Sequence, residues 1–308
     1  MPPGVFGLVL FVAVLHVVWN ALLKTSGDTL RTASRAMIVG VVALAPAVLT
    51  AWWLSGRPSI PAGALALAVL SGFLEAAYFI CLAAAYQRGD LSVVYPIARG
   101  TAPILSVTLG IVVLGERLAP AGALGVVALL AGILLVQQPW RMIAGVRRRR
   151  SSGAGPGWPG AAEYALLTGV TIAAYSAVDR AAVQSVAPWL YAGVVFPVCA
   201  VALAAWVRLV ADRRAVMRPA FAPPRSPASW LRSGTAGVVS LAAYALILLA
   251  YTLAPLTAVA PLRESSVVLA SAWGAIRMRE ALGARDRARR IGGACFVLAG
   301  AVLLAVGS

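Results

Sequence analysis

The feature that most constrains this chain is that its apolar stretches repeat. Leu82 to Pro96 reads LAAAYQRGDLSVVYP, and Ile247 to Pro261 reads ILLAYTLAPLTAVAP. At one offset of 165 residues, Ala85, Tyr86, Leu91, Val94 and Pro96 fall on Ala250, Tyr251, Leu256, Val259 and Pro261. Both runs continue into an apolar stretch that stops at a glutamate and a leucine, Glu116 with Leu118 and Glu280 with Leu282. Leu130-Ala131-Gly132 then follows in one half and Leu298-Ala299-Gly300 in the other. Two tandem copies of one apolar unit are the pattern of a secondary transporter, whose repeats enclose the solute path. A channel or a membrane enzyme needs no such duplication.

The chain is 61% hydrophobic and 12% charged over 308 residues, with a mean hydropathy of +0.88. A soluble surface needs roughly a quarter of its residues charged, so lipid must supply much of the solvent. A net charge of +16 in a soluble protein would point to nucleic acid. Here the arginines fall in short loops between apolar spans, which membrane topology explains by itself, and no nucleic-acid partner is expected. Cys81, Cys199 and Cys295 lie far apart inside apolar spans, read as small buried hydrophobes rather than a disulfide framework. The start, MPPGVFGLVLFVAVLHVVWNALLK, lacks the charged head and cleavage site of a signal peptide and reads as a first membrane span.

Crossing about 30 Å of hydrocarbon takes about 20 mostly apolar residues. Ten windows qualify: 4–23, 33–54, 62–84, 92–114, 120–138, 162–182, 187–210, 234–253, 256–276 and 289–307. Residues 1–140 then form one five-span unit and 161–308 a second, joined by the basic loop 141–160. Five is odd, so the second copy must cross in the opposite sense, which makes the repeats inverted. The expected fold is an all-α membrane protein of ten helices, two inverted five-helix repeats around a central cavity. Lys24, Arg31, Arg35, Arg88, Arg141, Arg147 to Arg150 and the arginines of 208–232 and 277–290 follow odd-numbered spans, whereas Arg57, Arg117 and Arg180 follow even ones. The positive-inside rule places the odd loops in the cytoplasm of a plasma (inner) membrane protein and both termini outside.

Ionisable groups at membrane depth are expensive and are functional candidates by default. Glu75 lies mid-span in the third window; Arg99 follows Tyr95-Pro96 in the fourth, and Arg263 and Glu264 hold the matching place in the ninth. The offset maps Arg99 onto Glu264, so opposite charges could meet between the repeats, as an ion pair stitching the halves or as part of the solute path. Arg263 and Glu264 are adjacent and point about 100° apart on a helix, so they are not expected simply to neutralise each other. On the first span, His16, Asn20 and Lys24 recur every fourth residue with Trp19 on the flank; on the sixth, Thr168, Thr171, Tyr175 and Asp179 make a comparable stripe. His16 and Asn20 lie deep enough to face a cavity, whereas Lys24, Asp179 and Arg180 sit near span ends and can snorkel, which for Lys24 and Arg180 is the plainer reading. His16 is the one histidine, and no Cys or carboxylate cluster has metal-ligand spacing, so no metal or cofactor is expected. Pro96 and Pro261, at matched places, suggest two helices kinked symmetrically around the solute path; placement at the first helical position is the bland alternative. Gly125 with Gly132, and Gly293 with Gly300, read as close helix packing.

GDLSVVYPIARGTAPILSVTLGIVVLGERLAPAGALGVVALLAGILLV (Gly89 to Val136) resembles the EamA repeat of the drug/metabolite transporter superfamily, and HVVWNALLK (His16 to Lys24) resembles the first span of many members. With the second copy, the resemblance spans essentially the whole chain, on tyrosine, proline, apolar run, Gly115-Glu116 and glycines in order. It implies ten helices in two inverted repeats, alternating access and, usually, export of small metabolites, amino acids, nucleotide sugars or drugs. Two departures stand out: Arg279-Glu280 replaces Gly115-Glu116 in the second copy, and members are often drawn with both termini in the cytoplasm.

The expectation is therefore a transporter, not an enzyme: a proton-linked exporter of a small polar or amphipathic metabolite. His16, Trp19, Asn20, Tyr78, Arg99 and Tyr175 would contact the solute, and Glu75 or Glu264 would carry the coupling proton. Besides the solute, membrane lipid and a second copy of the chain are the partners compatible with it. The alternative is a scaffold or lipid-head-group-handling subunit without solute turnover, its basic loops at 141–150 and 277–290 holding anionic lipid. No nucleophile–base pair, metal motif or phosphate-binding glycine loop supports an enzyme or an ATP-driven pump.

Overall fold

The structure, a computed structural model, describes residues 1–24, 29–88, 91–138, 159–211, 227–265 and 284–306. The described residues form ten helices and no strand: α1 Pro3–Lys24, α2 Thr29–Leu54, α3 Ala62–Arg88, α4 Leu91–Val112, α5 Pro120–Gln137, α6 Pro159–Ala182, α7 Pro188–Trp206, α8 Pro227–Leu253, α9 Leu256–Glu264 and α10 Ala284–Val306. Helix is the answer that lipid forces, because a spanning segment must satisfy its own backbone donors and acceptors. Proline opens α5 and α7 directly after the extended Ala119 and Ala187, where its missing N–H costs nothing. A π-helical turn, Val207–Ala211, continues α7.

Five stretches among the described residues are long and apolar enough to cross a membrane: Thr29–Leu54, Ala62–Arg88, Gly160–Ala182, Pro188–Val210 and Leu231–Leu253. Shorter apolar stretches, Pro3–His16, Ile97–Val112, Pro120–Val136 and Ile291–Leu304, lie on α1, α4, α5 and α10. The far part of the ninth window, from 266 on, lies outside the described residues. Large apolar side chains such as Phe11, Val42, Trp53, Phe73, Val127 and Val201 face outward. A water-facing surface with such side chains on helix after helix would aggregate; on a multi-pass membrane protein they meet lipid. Cys295, expected to be buried, is one of the outward-facing residues of α10.

The main helix contacts keep their form when the two halves are exchanged. α3 packs on α6 as α8 packs on α1; α4 packs on α6 as α9 packs on α1; α2 packs on α8 as α7 packs on α3. α5 and α10 pack on each other along a glycine seam. A Cβ on Gly125 would stand 2.9 Å from the Gly300 carbonyl oxygen, and one on Gly300 would stand 2.6 Å from that of Gly125. Gly132 and Gly293 oppose each other in the same way, at 2.6 and 3.0 Å. Only residues without a side chain let two backbones approach this closely, and the register, 125 on 300 and 132 on 293, runs the two helices antiparallel.

Candidate functional site

Where α1, α2 and α3 of the first half meet α6, α7, α8 and α9 of the second, a narrow cavity opens. α1 contributes Val12, His16 and Trp19; α2 Met37; α3 Glu75, Tyr78 and Phe79; α6 Tyr175; α7 Phe196; α8 Ser240, Tyr244 and Ile247; α9 Arg263. Its free space of about 40 Å³ compares with the roughly 10–15 Å³ that one water needs on the same measure. In this conformation the cavity thus holds a few waters rather than a metabolite. Its walls are aromatic and interlocked. Tyr78 meets Phe79 edge-on at 4.8 Å between ring centres and Tyr175 at 6.2 Å, Tyr175 meets Tyr244 at 5.7 Å, and Tyr244 meets Phe196 at 6.1 Å. Trp19 donates its indole N–H to His16 Nδ1 at 3.1 Å, with the rings perpendicular.

Behind this wall lies a buried ionic layer. Arg99 Nη1 donates to both oxygens of Glu264, at 3.2 and 3.3 Å, and Arg99 Nη2 donates to the Tyr78 hydroxyl at 3.4 Å. The symmetry-matched opposite charges therefore do meet, and Tyr78 links them to the cavity. Arg263 Nη2 also reaches Glu264, at 3.3 Å. The two neighbours do pair, because the long guanidinium arm spans the angle between the two Cα–Cβ directions, and Glu264 takes Arg99 as a further partner. Arg263 Nε, fully buried, has no hydrogen-bond partner. One carboxylate is thus shared by two guanidiniums, and one of these presents an unsatisfied donor where Arg263 lines the cavity.

The other two buried carboxylates make no ion pair among the described residues. Glu75, 7% exposed, stands beside the Cys199 thiol of α7. Asp179, on α6, is 0% exposed: Tyr191 of α7 donates to its Oδ1 at 2.7 Å, and Tyr244 of α8 donates to its Oδ2. Asp179 is therefore an interior group held by two phenols, which decides between the two readings its place near a span end left open.

At one end of the bundle a second ionic device joins the halves. Gly115, at φ +65°, turns the chain after α4 in the left-handed region that glycine enters without strain, and Glu116 follows it. The Glu116 carboxylate accepts from the Leu256 and Thr257 backbone N–H groups at 2.8 and 2.9 Å and from Arg180 Nε at 3.1 Å. It caps α9, placing an anion where free N–H groups and the helix dipole favour one. Arg180 also donates to the Tyr251 carbonyl, as does Gln184 at 3.1 Å. Arg180 is thus tied inward, against the snorkelling expectation.

Of the residues expected to touch solute, His16, Trp19, Tyr78 and Tyr175 line the cavity together with Glu75. Arg99 stands one layer back, behind Tyr78, and Glu264 with it. The side chain of Asn20 lies outside the described residues. Pro96 and Pro261 are each the sixth residue of their helix, α4 and α9, so neither takes the comfortable first position; the side chain of Pro96 is also outside the described residues. Sequence reasoning missed Tyr244, Ser240 and Phe196. The 165-residue offset held the signal for two of them, since α3 and α8 superpose end to end on it: Glu75 falls on Ser240 and Phe79 on Tyr244.

The EamA-like transporter family matches residues 4–137 of this chain. No curated protein sequence matches. Among 28 matching chains of solved structures, one described only as "Crystal structure of protein" superposes with a TM-score of 0.69 at 16% identity, covering 99% of this chain and 98% of its own. At that identity the likeness speaks for the fold alone.

Proposed function

We propose that this chain, a multi-pass membrane protein with an EamA-like match over its first half, is a secondary transporter that moves a small amphipathic solute by alternating access. In this reading residues 1–140 and 161–308 are two five-helix repeats of opposite sense, and the solute binds between them. The observation that carries it is the cavity itself: it is lined from both halves, it lies at their meeting plane, and it holds charge where lipid-facing packing would hold none. Arg263 Nε offers a hydrogen bond to an acidic group, and the rings of Trp19, Phe79, Tyr175 and Phe196 offer apolar walls. An acid or zwitterion with an apolar body fits that pairing.

The narrowness of the cavity supports a closed state, from which it must widen. The Glu116 latch joins the α4–α5 turn, the end of α6 and the start of α9, so opening that end means breaking three hydrogen bonds to one carboxylate. The arginine distribution puts this end outside. Proton linkage rests on the buried carboxylates, and export on the family resemblance; the plasma membrane as location follows the same resemblance.

The test is a thermal-shift screen of the purified protein against amino acids, nucleotide sugars, phosphonates and cationic drugs, followed by counterflow of any hit in proteoliposomes. A ligand at 100 times its Kd adds about 2.7 kcal/mol to apparent stability. The expected hit carries an acidic group, loses its shift in Arg263→Gln and exchanges across the vesicle membrane. A binder that never exchanges would instead favour the scaffold or lipid-handling reading.

A further inference from the structure

The fully buried charged residues among those described are Glu75, Asp179, Glu264, Arg99 and Arg263. Three carboxylates face two guanidiniums. An interior of low dielectric does not tolerate a surplus charge, and a carboxylate resolves the surplus by taking a proton. Glu264 is not the place for it, because both guanidiniums already bind that group. The remaining pair, Glu75 on α3 and Asp179 on α6, lie close enough to act on each other's charge, and no cation among the described residues is bonded to either.

Resting on the transporter reading above, we infer that Glu75 and Asp179 form one proton-binding site shared between the two halves, and that this pair, not Glu264, carries the coupling proton. The geometry divides the work. Both oxygens of Asp179 accept phenol hydrogens, an arrangement that suits the ionised form. Glu75 lines the cavity and has only a thiol beside it, so it is the member that solute and water can reach. Ser71 sits one turn before Glu75 on the same face of α3. Its hydroxyl is wholly buried and lies against Asp179 and Tyr191. A hydroxyl has lone pairs as well as a hydrogen, so it can accept the hydrogen that a protonated carboxyl must donate.

The neighbouring elements support a proton rather than a second fixed cation. α6 adds Tyr175 and α8 adds Tyr244, both neutral phenols, and α7 adds Cys199 and Tyr191. α9 adds Arg263, whose charge is shared with Glu264, and on α3 itself Tyr78 leads to Arg99. His16 on α1 accepts from Trp19 through Nδ1, which fixes it as the neutral ring. α2 brings only Met37 to the cavity.

The pair can be tested without knowing the solute. Infrared difference spectra of the detergent-purified protein, taken between about pH 8 and about pH 5.5, should show the carbonyl stretch of a buried protonated carboxyl. Melting over the same range should show stability falling as pH rises, because the native pair holds a proton that the unfolded chain releases. Glu75→Gln should remove the band and flatten that slope, and Asp179→Asn should do the same or shift both. Glu163→Gln, at an exposed carboxylate of α6, should leave both intact. A band and slope that survive Glu75→Gln would overturn the proposal, and so would stabilisation by sodium over potassium at equal ionic strength, which would make this a metal-cation site. Because no solute enters the measurement, a flat solute screen with an intact band would fail the transporter reading alone.

Discussion

The α5–α10 seam and the central cavity are built on the same duplication and have treated it differently. Along the seam both halves keep glycine at the matched positions, Gly125 with Gly293 and Gly132 with Gly300, and in space Gly125 opposes Gly300 while Gly132 opposes Gly293. Around the cavity the matched helices remain, but their side chains have parted. Glu75 stands where the other half has Ser240, and Phe79 where it has Tyr244. Aligning Trp19 with Tyr175 sets Asp179 against Leu23 and His16 against Ile172. Packing holds both copies to one solution, since a Cβ on any of the four glycines would stand 2.6 to 3.0 Å from the carbonyl oxygen opposite. A binding site has no reason to keep both walls alike, because a solute with two different ends needs two different walls.

The boundary between these regimes can be broken by substitution, and the largest effect should come from the ionic layer that bridges them. Glu264→Ala strands two buried guanidiniums and should cost at least the 3–5 kcal/mol typical of breaking a buried pair. Arg99→Ala, which leaves Arg263 on the carboxylate, should cost less; comparing the two melts in one detergent tests the sharing. Next is the seam. Gly132→Ala drives a methyl toward a backbone oxygen at 2.6 Å, whereas Gly293→Ala first meets the end of the Val136 side chain. Both should destabilise by about 1–3 kcal/mol, with Gly132→Ala the worse. Equal losses would show that the seam is softer than its symmetry suggests.

Glu116→Gln should cost about 1 kcal/mol in melting, the scale of a helix cap, and should ease opening at that end, read as faster labelling of a cysteine placed at Ser240. Ser240→Ala should be the mildest, within about 0.5 kcal/mol, although it is the positional twin of Glu75. A large loss there would mean that the second wall carries chemistry after all.

Much of the architecture was legible in the chain. Each of the ten apolar windows holds a described helix, the ninth only as far as Glu264, and α3 and α8 keep the 165-residue offset to their last residues, because lipid leaves a spanning segment no alternative to helix. The meeting of Arg99 with Glu264 was legible for a related reason: buried charges need partners, and repeat symmetry named one. The roles of Asp179 and Arg180 were not legible, because a charge near a span end can turn outward or inward with equal ease in sequence. The decision came from what the neighbouring helices supply there, two phenols of its own half for Asp179 and a capping carboxylate of the other half for Arg180.

By itself, then, the sequence determined the membrane, the helices and the duplication, since each follows from hydropathy and period along one strand of chain. The cavity, the sharing of Glu264 and the isolation of Glu75 with Asp179 were decided only in three dimensions. Each depends on which side chain of one helix stands within reach of another, and residues 64 to 165 positions apart acquire that distance only when the helices pack.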